Sequence, residues 1–464
     1  MNKSRKNVVV VVLDTVRGLD TVPAEKTFIP TLASLTREGT EYRHAFTSAP
    51  WTLPAHAGLF TGTYSSKHNT HGKHHTLDSS LTTLPEIFSS EGYDTFGISN
   101  NTWISDEFGF DRGFDSFNHG WTSSELQCER SLLDIAVNDT DERPVLNGDD
   151  GAQKTTTEAI DWLSTRRSRQ PFFLFLNYID AHFEYTPPKQ FVADRLPSGY
   201  DYNQALNILH DPRKYDVDEV TLTEEEFATL RTLYRAEITY LDANVRKLID
   251  GIKAVGEWED TILIVTSDHG ENIGEHGFLG HQYNIYDTLL HVPLIITGGS
   301  FNETSNTDQL VQLPDLAPTL LDEVNIDAPA MREQFQGRSF HPSSTAIERE
   351  YIISEYIAPQ PSIKTLEQRF TELPPDLYTF DRSLRAIRTF DYKLIRGSDG
   401  SRELYNINVN PAETKNIIQE NPEIAEFLED KLDRWLASFE QKLTQTSPSI
   451  SSESRERLRD LGYL

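Results

Sequence analysis

At 464 residues the chain is long enough for one large α/β domain and a smaller companion. Its formal charge of −29, from 43 basic and 72 acidic residues, argues against nucleic acid as a partner, since phosphate contacts need clustered Lys and Arg. The acids are scattered rather than blocked into a tail, which suits a solvated surface in a halophilic host, where salt screens self-repulsion.

No apolar run approaches the roughly 18 residues of a membrane helix. The basic start, Met1 to Asn7, leads into Val8 to Leu13, but Asp14 ends that run and no small-residue cleavage site follows. A buried first strand of a cytoplasmic protein is expected. Cys128 is the single cysteine, so no intrachain disulfide can form.

In chain order, Asn7 to Leu13 reads as a parallel strand covered on both faces. Ile29 to Gly39 has helical spacing. Ala49 to Gly62 reads as a tight entry into a short helix, with Thr52 at the N-cap, Pro54 in the first turn and Gly62 as the stop. A His-rich loop (His68, His71, His74, His75) follows, then a helix from Leu84 to Glu91 and a strand from Asp94 to Ser99. Residues 101 to 155 are polar and read as a long insertion on the catalytic face.

Thr156 to Arg166 is a helix, Pro171 to Asn177 a third strand, Pro187 to Val220 irregular, and Glu224 to Gly251 a long amphipathic helix. Thr261 to Ser267 and Val292 to Thr297 are further strands, and Leu316 to Val324 a helix. This alternation predicts an α/β fold with a large, mostly parallel sheet sandwiched by helices over residues 1–345. Residues 346–464 change character. Arg385 to Arg396 and Glu403 to Ile407 predict a smaller antiparallel-sheet subdomain, with a helix near Pro422 to Leu443.

Acidic and imidazole residues recur at the carboxyl ends of the predicted strands, where open α/β sheets place their ligands. Asp14 follows the first strand, Asp180 and His182 the third, and Asp268 and His269 the fourth. Each alone reads equally well as a helix cap or a loop residue; their recurrence points to one site. Asp14, Asp268, His269 and the Thr52 hydroxyl make a mixed oxygen and nitrogen set for a divalent cation (Ca, Mg, Mn or Zn). Such a cation would lower the pKa of the hydroxyl and offset charge on an ester oxygen. Thr52 stands at a helix N-terminus, which suits an anionic ester. His56, four residues on, shares its helix face and could reach its hydroxyl as a general base.

The order of these motifs resembles the sulfatase family of the alkaline phosphatase superfamily. The resemblance is carried by Asp14, by Thr52-Leu-Pro-Ala-His-Ala-Gly-Leu-Phe-Thr-Gly62, and by Ser267-Asp-His-Gly-Glu-Asn-Ile-Gly-Glu-His-Gly277. His182-Phe-Glu-Tyr185, Tyr286 to Pro293, Arg385 to Ile395 and Glu403 to Asn406 are similar to further family stretches. It implies an alkaline-phosphatase-like fold, Thr52 as nucleophile, Asp14, Asp268 and His269 as metal ligands, and His182 and His281 lining the ester site.

The departures are specific. Thr52 stands where the family has a Cys or Ser converted to formylglycine, so no formylglycine is expected. His56 replaces an Arg, and Thr15 replaces a second Asp. Asn100 and Thr102 take the positions of a substrate-binding Lys and His. A Thr nucleophile resembles the phosphodiesterase and phosphonate hydrolase branches, in a protein of halophilic archaeal type. A second zinc of the phosphodiesterase type would need an additional Asp and two His, for which Asp180, His182, His276 and His281 are the candidates.

The resemblance implies a metal-dependent hydrolase of a sulfate or phosphate mono- or diester. The alternatives are a phospho- or sulfo-group transferase acting on a glycan or lipid head group, with Trp103 and Trp121 holding the acceptor, and a non-catalytic anion-binding protein. In each case the ligand is a small anionic ester.

Overall fold

The computed structural model describes residues 5–24, 26–120, 151–192, 195–302, 305–345, 348–442, 450–461 and 463. Trp121, Cys128 and most of the predicted insertion lie outside these residues.

The strands in chain order are β1 (Asn7–Leu13), β2 (Thr40–Phe46), β3 (Asp94–Ser99), β4 (Ser116–His119), β5 (Phe172–Tyr178), β6 (Thr261–Thr266), β7 (Asn272–Ile273), β8 (Leu279–Gly280), β9 (Leu294–Thr297) and β10 (Ser305–Gln312). They are followed by β11 (Ile352–Tyr356), β12 (Leu384–Arg388), β13 (Tyr392–Gly397) and β14 (Arg402–Asn406). Eight of them form one sheet in the order β10-β2-β9-β6-β1-β5-β3-β4. All its pairings are parallel except those of β9, which runs against both β2 and β6.

β1 lies at the centre, paired to β5 and β6, and all seven of its residues are buried. Its valines divide by strand alternation. Val8, Val10 and Val12 face one apolar layer with Leu53, Ala57 and Phe60 of the helix Thr52–Thr61. Val9, Val11 and Leu13 face the other layer, covered by the helices Ala152–Thr165 and Glu224–Ala254. Burial on both faces explains why β1 is continuously apolar rather than alternating.

Several differences from the sequence reading have local causes. β2 and β10 were not predicted, because Thr-Glu-Tyr-Arg-His-Ala-Phe and Ser-Asn-Thr-Asp-Gln-Leu-Val-Gln mix polar and apolar residues as outer strands do. Part of the predicted insertion is β4, which extends the sheet beyond β3. The irregular stretch contains the short helices Lys189–Val192, Tyr202–Leu206 and Pro212–Asp216. The helix from Pro422 ends at Leu436, and a further helix, Ser452–Asp460, was missed.

β11 to β14 form a separate antiparallel sheet in sequence order. It grips the large sheet in two places. Near the loop that leads into the Thr52 helix, the Glu355 amide donates to Ser48 O at 2.9 Å and Ser354 Oγ to Thr47 O at 2.8 Å. The Glu355 carboxylate accepts from the Ser66 amide at 2.8 Å.

The second grip is ionic. Lys393 of β13, fully buried, lies 2.8 Å from Asp287 and 2.7 Å from Glu413, while Arg388 of β12 reaches Asp287 at 2.9 Å. Burial drives the Glu413 carboxyl up, whereas Lys393 and Arg388 hold Asp287 well below the usual carboxylate range. Lys393→Met leaves Glu413 buried without its cation, which should lower unfolding stability by about 3–5 kcal/mol. Urea titration measures it, and adding Glu413→Gln should recover part of the loss.

Candidate active site

Five strands of the large sheet deliver side chains to one place. Asp14 follows β1, the Thr52 helix follows β2, Asn101 lies just past β3, Asp180 and His182 follow β5, and Asp268 and His269 follow β6. These are the carboxyl ends of parallel strands, the edge at which such sheets bind ligands.

Asp14, Asp268 and His269 are fully buried, and one ligand atom from each lies within 4.8 Å of the others. Asp14 Oδ1 and Asp268 Oδ2 accept no hydrogen bond. His269 Nδ1 contacts the Gly270 carbonyl at 2.9 Å, and a carbonyl only accepts, so Nδ1 carries the proton and Nε2 is bare. That bare nitrogen lies 3.4 Å from Asp268 Oδ2 and 3.8 Å from Asp14 Oδ1. Two orphaned carboxylate oxygens facing a bare imidazole nitrogen fit a divalent cation.

Thr15 does not add a ligand. It sits in the left-handed region, φ 61°, which a β-branched residue adopts only under local constraint. That turn aims its amide at Asp268 Oδ1 (3.3 Å) and its hydroxyl at the Ala181 carbonyl (2.6 Å).

The Thr52 helix differs from expectation at its first residue. Trp51 is the N-cap and Thr52 is the first helical residue. Its hydroxyl is therefore not spent on capping. Oγ1 lies 3.2 Å from His269 Nε2, within reach of the same ligand set. Pro54 is in the first turn, and Gly62 closes the helix in the left-handed conformation, φ 67°.

His56 does not touch the Thr52 hydroxyl. One helical turn on, its Nδ1 donates to the Thr52 carbonyl at 2.9 Å, while Nε2 faces Asn177 Nδ2 at 3.5 Å. Burial pushes its pKa down to about 3. The expected base contact is absent because the ring turns back along its own helix.

The β3 end corrects the sequence reading by one residue. Asn100 turns away and accepts from Thr155 Oγ1 at 3.1 Å. Thr102 is buried, with its hydroxyl unpartnered among the described residues. Asn101, not predicted, faces the site. Its Nδ2 donates to Asp14 Oδ2 at 2.8 Å and to Thr52 Oγ1 at 3.3 Å. The Trp103 amide donates to Asn101 Oδ1 at 3.0 Å, which fixes which end of the amide faces inward.

His182 and His281 stand on the far side of Thr52, ring centroids 5.2 Å apart, and His281 lies 4.5 Å from His269. His182 Nδ1 donates to the Phe183 carbonyl at 2.7 Å, leaving Nε2 as an acceptor. His281 Nδ1 meets Glu271 Oε1 at 2.8 Å, and its Nε2 is buried and unpartnered. Glu271 was read only as part of a motif; here it orients a site histidine. Burial lowers His182 to about 4 and His281 well below its ordinary value, so both rings are neutral at physiological pH.

The second zinc set does not assemble. His276 stacks on Tyr286, with centroids 3.8 Å apart, and Asp180 Oδ1 accepts from the Ala152 amide at 3.4 Å. Among the described residues, Asp14, Asp268 and His269 form the one metal-binding cluster of three. Trp103 is fully buried, with Trp51 and Phe108 beside it, and is not an open platform for an acceptor.

Tyr463 was also missed. Its hydroxyl lies 3.1 Å from Thr52 Oγ1 and 3.0 Å from His182 Nε2. It is 411 residues from Thr52 in sequence, a separation that no local pattern reports. The one local sign is the trio Leu458, Leu461 and Tyr463 in an otherwise polar segment.

The family profile named Sulfatase matches residues 6–326, and the chain belongs to the sulfatase family. It is 26% identical to arylsulfatase K of Bos taurus over 460 residues, covering 92% of this chain and 81% of that protein. It is 24% identical to choline-sulfatase of Rhizobium meliloti, covering 91% and 84%. The phosphonate monoester hydrolase of Agrobacterium radiobacter has the same fold, with a TM-score of 0.72 at 19% identity, covering 93% of this chain and 96% of that one. No helix among the described residues is long and apolar enough to cross a membrane.

Two outcomes follow from the ligand set. Burial raises Asp14 well above the carboxylate range, with Asp268 adding to it, and burial raises Asp268 to about 7. Protonation therefore favours the metal-free fold. That stabilisation is whole below the ordinary carboxylate pKa and is lost as pH rises through about 7. A cation needs the ionised pair, so affinity for manganese(II) should rise between about pH 5.5 and about pH 8, with proton release seen by calorimetry in buffers of different ionisation heat. Asn101→Ala, which frees Asp14 from its donor, should weaken manganese(II) binding by about 10–100-fold in the same experiment.

Proposed function

We propose that the chain is a metal-dependent hydrolase of sulfate, phosphate or phosphonate esters that uses the Thr52 hydroxyl as its nucleophile. The observation that carries this reading is Thr52 Oγ1 at 3.2 Å from His269 Nε2, beside two buried carboxylates with orphaned oxygens. The printed activities of the related proteins, sulfatases and a phosphonate monoester hydrolase, support the ester class.

Asp14, Asp268 and His269 would hold the cation, which when bound would acidify the hydroxyl and offset charge on the ester oxygens. The remaining work falls to the chain. Asn101 donates to both Thr52 Oγ1 and Asp14 Oδ2, which holds the hydroxyl beside that carboxylate. The helix N-terminus presents backbone dipoles to an anionic group. His281, oriented by Glu271, offers a bare nitrogen that takes up a proton and returns it to the leaving oxygen.

Attack forms a bond from Thr52 oxygen to sulfur or phosphorus and breaks the bond to the alcohol oxygen, which leaves protonated. Water then cleaves the Thr52 ester and releases the sulfate, phosphate or phosphonate group with whatever other substituent it carried. A threonine side chain cannot form the formylglycine aldehyde, so this second step falls to water. Trp103 is enclosed, so hydrolysis is favoured over transfer to a glycan or lipid acceptor. The cytoplasmic and high-salt assignments belong to the same proposal, on the single cysteine and the charge of −29.

The test is a panel of aryl sulfate, phosphate monoester, phosphodiester and phosphonate monoester substrates with added manganese, magnesium, calcium or zinc. Wild type should turn over at least one of them, and Thr52→Ala should lose about a thousandfold or more in kcat. Quenched intact-mass spectra should show one sulfuryl or phosphoryl group on the wild type and none on Thr52→Ala. Equal turnover by both proteins rules out Thr52 as nucleophile. Metal-dependent anion binding without turnover makes the protein a binder.

A further inference from the structure

The helix Ser452–Asp460 returns to the large sheet and leads Tyr463 into the site. Ser451 Oγ donates to Glu107 Oε2 at 2.9 Å, Arg457 Nη2 reaches the Asn100 carbonyl at 3.5 Å, and Leu458 is fully buried in the same apolar layer as Leu53. Tyr463 is 1% exposed, and its carbonyl accepts from Gln360 Nε2 at 3.0 Å. Its ring centroid lies 5.8 Å from Trp103, 5.4 Å from His182 and 5.6 Å from His281.

The proton direction around Tyr463 is fixed. His182 Nδ1 donates to a carbonyl, so His182 Nε2 accepts, and the Tyr463 hydroxyl proton points to it. The phenolic oxygen then turns its lone pairs to Thr52 Oγ1 at 3.1 Å. An ester must bring its sulfur or phosphorus to about 3–3.5 Å from the same Oγ1 before attack. On the side of His182 and His281, that space holds the Tyr463 hydroxyl. Two groups cannot occupy it together.

We propose that residues 451–461 with Tyr463 form a gate: Tyr463 fills the ester pocket of the resting protein as an internal stand-in for substrate, and an anion enters only when this segment swings out. The proposal rests on the reading of Thr52 as the group that the ester meets. The attachment suits release. The helix is polar, with Leu458 the one fully buried side chain among its described residues; Ser451 bonds Glu107 at the surface and Ser454 bonds it half-buried. Only the open fraction of the protein binds, so closure weakens apparent affinity by that fraction.

The experiment measures binding of inorganic phosphate and inorganic sulfate, with manganese(II) present, to the full chain by calorimetry. A gate closed about nine-tenths of the time predicts roughly tenfold tighter binding to Tyr463→Ala. Tyr463→Phe, which keeps the ring and loses both hydroxyl bonds, should show a smaller gain. Saturating anion should also raise hydrogen exchange at amides 451–461 of the wild type. Equal or weaker binding by Tyr463→Ala, unchanged or greater protection of 451–461, or no anion binding by any variant overturns the gate. Weaker binding by both variants would make Tyr463 a substrate-positioning residue instead. Thr52→Ala separates the two proposals: anion should still release the segment there, so loss of the nucleophile reading alone leaves the exchange result intact.

Discussion

Two carboxylates and an imidazole are buried together at the centre of the sheet, and the rest of the site is arranged around that unfavourable act. Asp14 and Asp268 have left water, where each would ionise at an ordinary pH, for a place where burial and mutual repulsion oppose charge. Neighbours supply only partial relief. Asn101 covers one oxygen of Asp14, the amides of Thr15 and His269 cover one of Asp268, and one oxygen of each is left bare. A fold that wanted these residues only for stability would have paired them with cations, as it does at Asp287. The bare oxygens are where the proposed cation would bind.

The surrounding histidines answer the same constraint in another way. His182 and His269 each spend their Nδ1 proton on a backbone carbonyl, and His281 turns its Nδ1 to Glu271. That leaves each Nε2 without a proton and holds the rings in fixed planes. His56 uses the same device on its own helix, with Nδ1 3.6 Å from Asp268 Oδ2 and the ring edge-on to Phe175.

Much of this was legible in the sequence, for physical reasons. The valine run of β1 followed by Asp14, and the Ser267-Asp268-His269 stretch after β6, name themselves because a strand buried on both faces has nowhere to keep a polar residue except at its end. The large sheet and the small antiparallel one followed from the same patterns. Asn101 was missed in favour of Asn100 because the turn after β3 breaks strand alternation, and side-chain direction there depends on contacts to Thr155 and Trp103. β2 and β10 were missed because outer strands carry mixed residues. Tyr463 and the Glu271–His281 pair depend on tertiary placement alone.

The small sheet has a consequence for the order in which the protein takes shape. Glu355 and Ser354 of β11 hold the Thr47–Ser48 backbone and Ser66, which bracket the Thr52 helix, from roughly 300 residues further along the chain. During synthesis the Thr52 helix leaves the ribosome long before these partners do, and such distant contacts close late. The large sheet can assemble its strands while the Thr52 hydroxyl still lacks its final setting. Competence thus arrives as a late event in the life of each molecule, after most of the chain has committed to its fold.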